Sequence, residues 1–333
     1  MKNYKVKIIA EAGVNHNGSL KKAKSLIKAA KSCGADYIKF QAFDPDELCT
    51  ENSTKANYQK KYNPKETQHS MLKKLALSKN DILKIKSFAK KTGINLIFSI
   101  FDNQSLKLIN KLKFDYIKLP SGEIDNFKLI DELAKSSSKI IFSSGASNLF
   151  EIKNCLQKLK KRKNSDITLM HCNSEYPTPT HDLNLNVIKN FKKIFKINIG
   201  FSDHSKSIIV PAIAVSCGAN MIEKHFTLNN KLNGPDHSSS LNPKNFKIMV
   251  EYIRETESAL GSMYKKITNS EKKNKNIIRK SIVASKVIKK NEKFTILNIT
   301  TKRPAGGISA SRFFKIIGKI AKKNLKINKK IKI

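Results

Sequence analysis

Short apolar, β-branched runs recur along the first two-thirds of this 333-residue chain, separated by stretches of helical period. The runs fall at Lys7–Ala10, Tyr37–Phe40, Asn95–Phe98, Tyr116–Leu119, Lys139–Phe142, Ile167–Met170, Ile197–Phe201 and Met221–Lys224. Helical period is read in Leu20–Ala30, Asn80–Lys90, Phe127–Lys135, Leu149–Lys160 and Ile208–Val215. Strands and helices alternating in this way predict an α/β fold, a (β/α)8 TIM barrel, with a doubly wound open sheet as the structural alternative. The barrel domain is placed at residues 1–265. After it the pattern changes to a charged, Asn-rich linker at 266–278. The short strand-like pieces Ser281–Ala284 and Phe294–Ile296 and a turn-rich stretch after Lys302 then predict a small β-rich module at 279–333.

The ends of the apolar runs carry the first chemical signal. They finish at Glu11, at Lys39 and Gln41, at Ser99, at Lys118 with Ser121, at Ser143, at His171 to Ser174, at Ser202 to His204, and at Lys224-His225. A core-only strand would end in Val, Ile or Gly, whereas barrel active sites are built from the C-terminal ends of their strands. The long polar connection from Phe43 to Met71, with Tyr58, Tyr62 and His69, is read as a lid or substrate loop, or else as a disordered insertion.

Charge and cysteines alter this picture little. The formal net charge of +39 invites a nucleic-acid partner, but only five of the basic residues are arginine, and the lysines are read as spread along the whole chain. Solvated faces are the preferred reading; a basic nucleic-acid or anionic-surface binding protein is the alternative from a different class. Five scattered cysteines without a Cys-x-x-Cys pair suit a reducing compartment. With no long apolar stretch and no signal-peptide core, the expectation is a cytoplasmic protein with neither a nucleic-acid nor a membrane partner.

Lysines and hydroxyls converging at strand ends would bind a phosphate and a carboxylate together. Each serine could instead cap a following helix. His204 and His225 lie 21 residues apart, each where an apolar run gives way to a polar loop, and could share a catalytic metal with open positions. Asp203, Asp236 and His237 are further candidates near them. Glu11 could act as a general acid or base, or simply pair with a lysine.

Several motifs occur in one order along the chain: Ile9 to Ser19, Ile38 to Gln41, Lys118 to Glu123, His171 to Pro179, Gly200 to His204, Glu223 to Thr227, Gly234 to His237, and Lys302-Arg303-Pro304. Together they resemble the bacterial sialic acid synthases, the N-acetylneuraminate synthase family that includes legionaminic and pseudaminic acid synthases. The resemblance runs essentially end to end. It implies a barrel followed by an antifreeze-like (SAF) domain and a domain-swapped homodimer. The implied reaction is a metal-dependent condensation of phosphoenolpyruvate with an N-acetylmannosamine-type sugar and water, releasing phosphate.

Position by position, the resemblance puts metal ligands at His204 and His225, with the ion commonly manganese and magnesium or cobalt as alternatives. Phosphoenolpyruvate contacts fall at Lys39, Ser99, Lys118, Ser121, Ser143, Ser174 and Ser202. Sugar contacts fall at Gln41, Glu123, Tyr176, Asp236 and Arg303, with Glu11, His204 and His225 as the catalytic set. N-acetylneuraminate is placed first as product, and N,N'-diacetyllegionaminate, made from 2,4-diacetamido-2,4,6-trideoxymannose, second. Two departures stand out. Ser99-Ile100 replaces the family's Thr-Pro, which bears on the local turn. Ala305 replaces a usual glycine, which bears on how Arg303 is set because Ala adopts positive φ less readily.

Overall fold

The computed structural model describes residues 5–60, 63–160 and 166–332 and divides into two compact units, Met1–Gly261 and Ser262–Ile333. Tyr62 and the side chain of Tyr58 lie outside the description. In the first unit β1 (Lys7–Gly13), β2 (Tyr37–Ala42), β3 (Asn95–Ile100), β4 (Tyr116–Leu119), β5 (Lys139–Ser143), β6 (Ile167–Cys172), β7 (Asn198–Asp203) and β8 (Met221–His225) pair in parallel. They close on themselves, β8 against β1. The fold is therefore the (β/α)8 barrel and not the open sheet.

Successive strand residues point to opposite faces, so each strand has an inward and an outward set. The outward set, including Ile8, Ile38, Phe98, Ile117, Ile140, Leu169 and Ile222, packs under the helices in one large core. The inward set forms a separate apolar cluster of Ile9, Tyr37, Ile97, Tyr116, Ile141, Met170 and Met221. On β7 the corresponding inward position is Gly200, where an added Cβ would lie 2.8 Å from the Met221 carbonyl oxygen and 3.1 Å from Met170 Cε. This glycine makes room for the two methionines, and the apolar set fills the barrel.

The chain between β2 and β3 is more ordered than a plain loop. It holds helices Pro45–Leu48, Asn57–Lys60 and Gln68–Leu75 before the longer helix Lys79–Thr92. Phe43, Met71, Leu72 and Leu75 join Val14 in a small apolar cluster. His69 is buried and its Nε2 lies 2.7 Å from Asp46 Oδ1. After β3 the chain turns without proline: Asp102 caps helix Asn103–Leu112 by accepting from Ser105 N.

The second unit has its own core of Ile282, Ala284, Ile288, Phe294, Ile299, Ile316, Ala321, Leu325 and Ile331. The strand expected at Ser281–Ala284 is present as β9, paired antiparallel with β10 (Ile299–Lys302). The piece Phe294–Ile296 is not a strand. Phe294 is fully buried but Ile296 is exposed, so the run serves the core through one residue only. The stretch read as a linker carries a helix, Asn269–Ile278, held by a capping box between Thr268 and Glu271. Positive φ falls on Gly306 (+96°) and not on Ala305, so alanine is tolerated in this turn. Among the described residues no helix is long and apolar enough to cross a membrane.

Gly200→Ala places a methyl group against backbone and should cost about 1–3 kcal/mol of stability. Chemical denaturation of the variant measures this; an unchanged midpoint would mean that the barrel interior is slack.

Candidate active site

One pleat step above the apolar set, toward the C-terminal ends of the strands, the inward residues become polar on every strand. They are Glu11 on β1, Lys39 on β2, Ser99 on β3 and Lys118 on β4. Ser143 on β5, Cys172 on β6, Ser202 on β7 and Glu223 on β8 complete the ring. All eight are buried, and all line one cavity of about 350 Å³. Gln41, Ser121, Glu123, Ser174, Tyr176, His204, His225 and Asp236 line it too. Fourteen of the fifteen residues to which the family resemblance assigned a role thus meet in one place; Arg303 belongs to the second unit, where its Nε donates to the Ile278 carbonyl. None of the five serines caps an α-helix.

The same alternation removes other candidates. His171, Asp203 and Lys224 sit on outward pleats. His171 Nε2 lies 2.7 Å from the Leu183 carbonyl, and Lys224 pairs with Asp203 at 2.6 Å in a fully buried contact. His237 lies 2.6 Å from Thr227 Oγ1 and does not line the cavity.

Glu223, which the sequence offered only as part of a motif, is the hub of the polar ring. Its carboxylate lies 3.4 Å from Lys118 Nζ and 3.6 Å from Lys39 Nζ, and accepts from Ser202 Oγ at 2.8 Å. Lys39 also reaches Glu11 at 2.9 Å and donates to Ser99 at 2.7 Å. The signal that could have found Glu223 is its spacing, two residues before His225 on one strand, which puts both on the inward face.

Burial pushes the Glu11 carboxyl up to about 7, with the Lys39 ammonium pulling the other way. Burial also opposes ionisation of Glu223, but Lys118 and Lys39 outweigh it and hold this group down to about 2. Burial lowers Lys118 below the ordinary lysine range against the pull of Glu223. Burial works against Lys39 as well, but Glu11 and Glu223 overcome it and raise its pKa. The ring thus sets two lysines against two carboxylates, with the hydroxyls of Ser99, Ser143 and Ser202 beside them.

Glycines let the polar groups converge. Gly13, at φ +50°, lies where Glu11, Gln41 and Asp236 come together; a Cβ there would stand 3.2–3.4 Å from an oxygen or nitrogen of each. At Gly145 a Cβ would meet Ser174 Oγ at 2.3 Å and Ser121 Oγ at 2.8 Å, and the Gly145 N–H donates to Ser121.

The two imidazoles are close, with ring centroids 5.3 Å apart, and Tyr176 stacks on His204 at 4.1 Å. His204 Nδ1 lies 2.6 Å from the Asn173 carbonyl, which sets that ring's orientation. His225 Nδ1 is buried without a hydrogen-bond partner, and Asp236 Oδ2 stands 3.9 Å from it. Burial first, then the neighbouring His204, push His225 well below the ordinary range. Among the described residues no group of three or more His, Cys, Asp or Glu is assembled to hold a metal. The orphaned nitrogen and the paired imidazoles fit a two-histidine donor set whose other positions fall to substrate and water.

The segment between β2 and β3 adds apolar side chains to the cavity lining, together with Gln59 and Gln68. The apolar members of the lining are Val14, Leu48, Met71, Leu72, Leu75 and Phe101, most of them from that segment.

Residues 26–265 match the NeuB family, and residues 279–329 match the SAF domain. The chain is 46% identical to the N,N'-diacetyllegionaminic acid synthase of Campylobacter jejuni, over 97% of each chain. It is 38% identical to the enzyme of the same name from Legionella pneumophila, over 96% of this chain and 91% of that one. Among solved structures it is similar to the N-acetylneuraminic acid (sialic acid) synthetase of Leptospira borgpetersenii, in complex with citrate. That likeness has a TM-score of 0.71 and 32% identity, covering 82% of this chain and 90% of that one. A barrel whose eight strands all end in polar groups around one cavity, matched over nearly its whole length by these synthases, belongs to the NeuB family: the chain is an enzyme of the sialic acid synthase type.

Proposed function

We propose that the enzyme condenses phosphoenolpyruvate with 2,4-diacetamido-2,4,6-trideoxymannose and water to give N,N'-diacetyllegionaminate and phosphate. The choice of sugar rests on the relatives at 46% and 38% identity, both named diacetyllegionaminic acid synthases, against 32% for the sialic acid synthetase. They support this alternative better than the N-acetylneuraminate placed first from sequence. The apolar side chains in the lining, Leu48, Met71, Leu72 and Leu75 among them, support it physically. A 6-deoxy sugar presents a methyl group where N-acetylmannosamine presents a hydroxyl, and a buried hydroxyl without a partner costs free energy.

In this reading Lys39 and Lys118 hold the phosphate and carboxylate of phosphoenolpyruvate, with Ser99, Ser121, Ser143, Ser174 and Ser202 donating hydrogen bonds around them. Their work is positional: carbon 3 of phosphoenolpyruvate must face the sugar carbonyl in attack geometry. The new C–C bond leaves positive character at carbon 2, where water adds, and the resulting tetrahedral carbon expels phosphate. Gln41, Glu123, Tyr176 and Asp236 contact the sugar. Glu11, poised near neutrality beside Asp236 and Gln41, gives or takes the proton at the carbonyl-derived oxygen. His204 and His225 hold a divalent cation, for which we propose manganese with magnesium or cobalt as alternatives. When bound, such an ion supplies Lewis-acid polarisation of a carbonyl.

Phosphate release in the presence of manganese should favour the diacetamido sugar over N-acetylmannosamine by at least about tenfold in kcat/KM. The opposite ranking would restore the neuraminate reading, and release with neither sugar would sink the reaction. His204→Ala and His225→Ala should each abolish metal-dependent release and weaken manganese binding read by electron paramagnetic resonance. Binding unchanged in both variants would remove the histidines from the metal site. Glu223→Gln leaves Lys118 buried without a counter-charge and should cost roughly 3–5 kcal/mol. Added phosphoenolpyruvate, a polyanion, should then raise the melting temperature of the variant more than that of the unmodified enzyme; equal shifts would show that Glu223 does not hold the lysines.

A further inference from the structure

The positive charge of the chain is concentrated, not evenly spread as the sequence reading took it to be. Residues 262–333 contain 22 of the 65 basic residues and 2 of the 26 acidic ones, and so carry 20 of the 39 net charges. Both acids are engaged locally. Glu271 closes the capping box with Thr268 and pairs with Lys265. Glu292 accepts from the Lys289 N–H and from Asn298.

The fold of this unit gathers the excess. Residues 286–293 run antiparallel to 319–326, bridged at Ile288–Leu325 and Lys293–Ile320. The Asn291 N–H also donates to the Ala321 carbonyl, and the Ala321 N–H to that of Glu292. Ile288, Ala321 and Leu325 turn into the core. Lys286, Lys289, Lys290 and Lys293 on one segment, and Lys319, Lys322, Lys323 and Lys326 on the other, are exposed. None of the eight has an ion-pair partner among the described residues. Large apolar side chains lie exposed among them and just beyond: Val287 at 64%, Ile320 at 51%, Ile296 at 64% and Leu297 at 72%.

We infer that this lysine-rich ladder docks the enzyme reversibly on an anionic lipid surface. The proposal goes beyond the reaction and does not depend on which sugar is used. It replaces the expectation that no membrane is a partner. Ammonium groups on flexible stems suit a diffuse negative surface potential, which acts within a Debye length of about 8–10 Å. Apolar side chains among them can enter the headgroup region. A nucleic acid fits less well. Neither segment contains an arginine for bidentate phosphate or base contact, or an aromatic ring on which a base could stack.

The test is sedimentation of the full chain with phosphatidylcholine vesicles, with and without phosphatidylglycerol, at low and raised salt. Binding is expected only to the anionic vesicles and should weaken as salt rises. Replacing Lys289, Lys290, Lys322 and Lys323 together by Gln should weaken it by more than about tenfold. The same replacement at Lys84, Lys91, Lys107 and Lys111, exposed on the barrel unit, should change it less than about twofold. Melting curves check that both variants remain folded, and Lys322→Gln with Lys323→Gln alone should give the same direction if the fourfold variant does not. Equal loss in the barrel variant, no binding to anionic vesicles, or displacement from them by duplex DNA at equal charge would each overturn the proposal.

Discussion

Two lysines have been taken out of water inside the barrel, and one carboxylate, Glu223, stands between them. Removing an ammonium group from water costs several kcal/mol, and attraction to a counter-ion offsets this only when the geometry is close and the remaining polar atoms are bonded. Here Glu223 faces both Lys39 and Lys118 and takes a hydrogen bond from Ser202, while Lys39 also has Glu11 and Ser99. The network can exist only where eight strands converge, because its members come from β1, β2, β3, β4, β7 and β8. It also sets both lysines on the cavity, where Ser99, Ser143 and Ser202 stand beside them. The placement of the two ammonium groups is therefore built into the scaffold.

The apolar set below and the polar ring above are two consecutive turns of one alternation. Ile9 precedes Glu11, Tyr37 precedes Lys39, Tyr116 precedes Lys118 and Met221 precedes Glu223, each by one pleat step. The lower set is buried and fills the barrel beneath the polar ring. The segment between β2 and β3 completes the cavity with Leu48, Met71, Leu72 and Leu75 beside Gln59 and Gln68.

The first unit was legible to the extent that its strands are buried on both faces. Such strands read as continuous Ile, Val, Leu and Phe runs, and all eight were placed within a few residues. Helices Asn103–Leu112, Asn186–Phe195 and Pro243–Leu260 were not among the stretches named, although Leu106 and Ile109, Ile188, Phe191 and Phe195, and Phe246, Met249, Val250 and Ile253 recur at helical spacing. Helix Asn269–Ile278 has no buried residue and left no apolar stripe to find. In the second unit only one of two strands was placed. Phe294 resembles part of a strand, yet it acts alone as a core plug. The concentration of lysine at 262–333 was present in the sequence. Its meaning required the fold, since residues about thirty apart form the ladder.

Local pattern by itself determined that there would be strands, that they would alternate with helices, and that their ends would be polar. The spacing of side chains along a strand is covalent geometry and needs no partner. Tertiary structure decided which of those polar ends face one another. It turned His171, Asp203 and Lys224 outward, brought Glu223 to the centre, and set His204 beside His225 with one nitrogen left unbonded. Those outcomes depend on strand register, barrel closure and the loss of water between charges, and none of these is a property of any one segment.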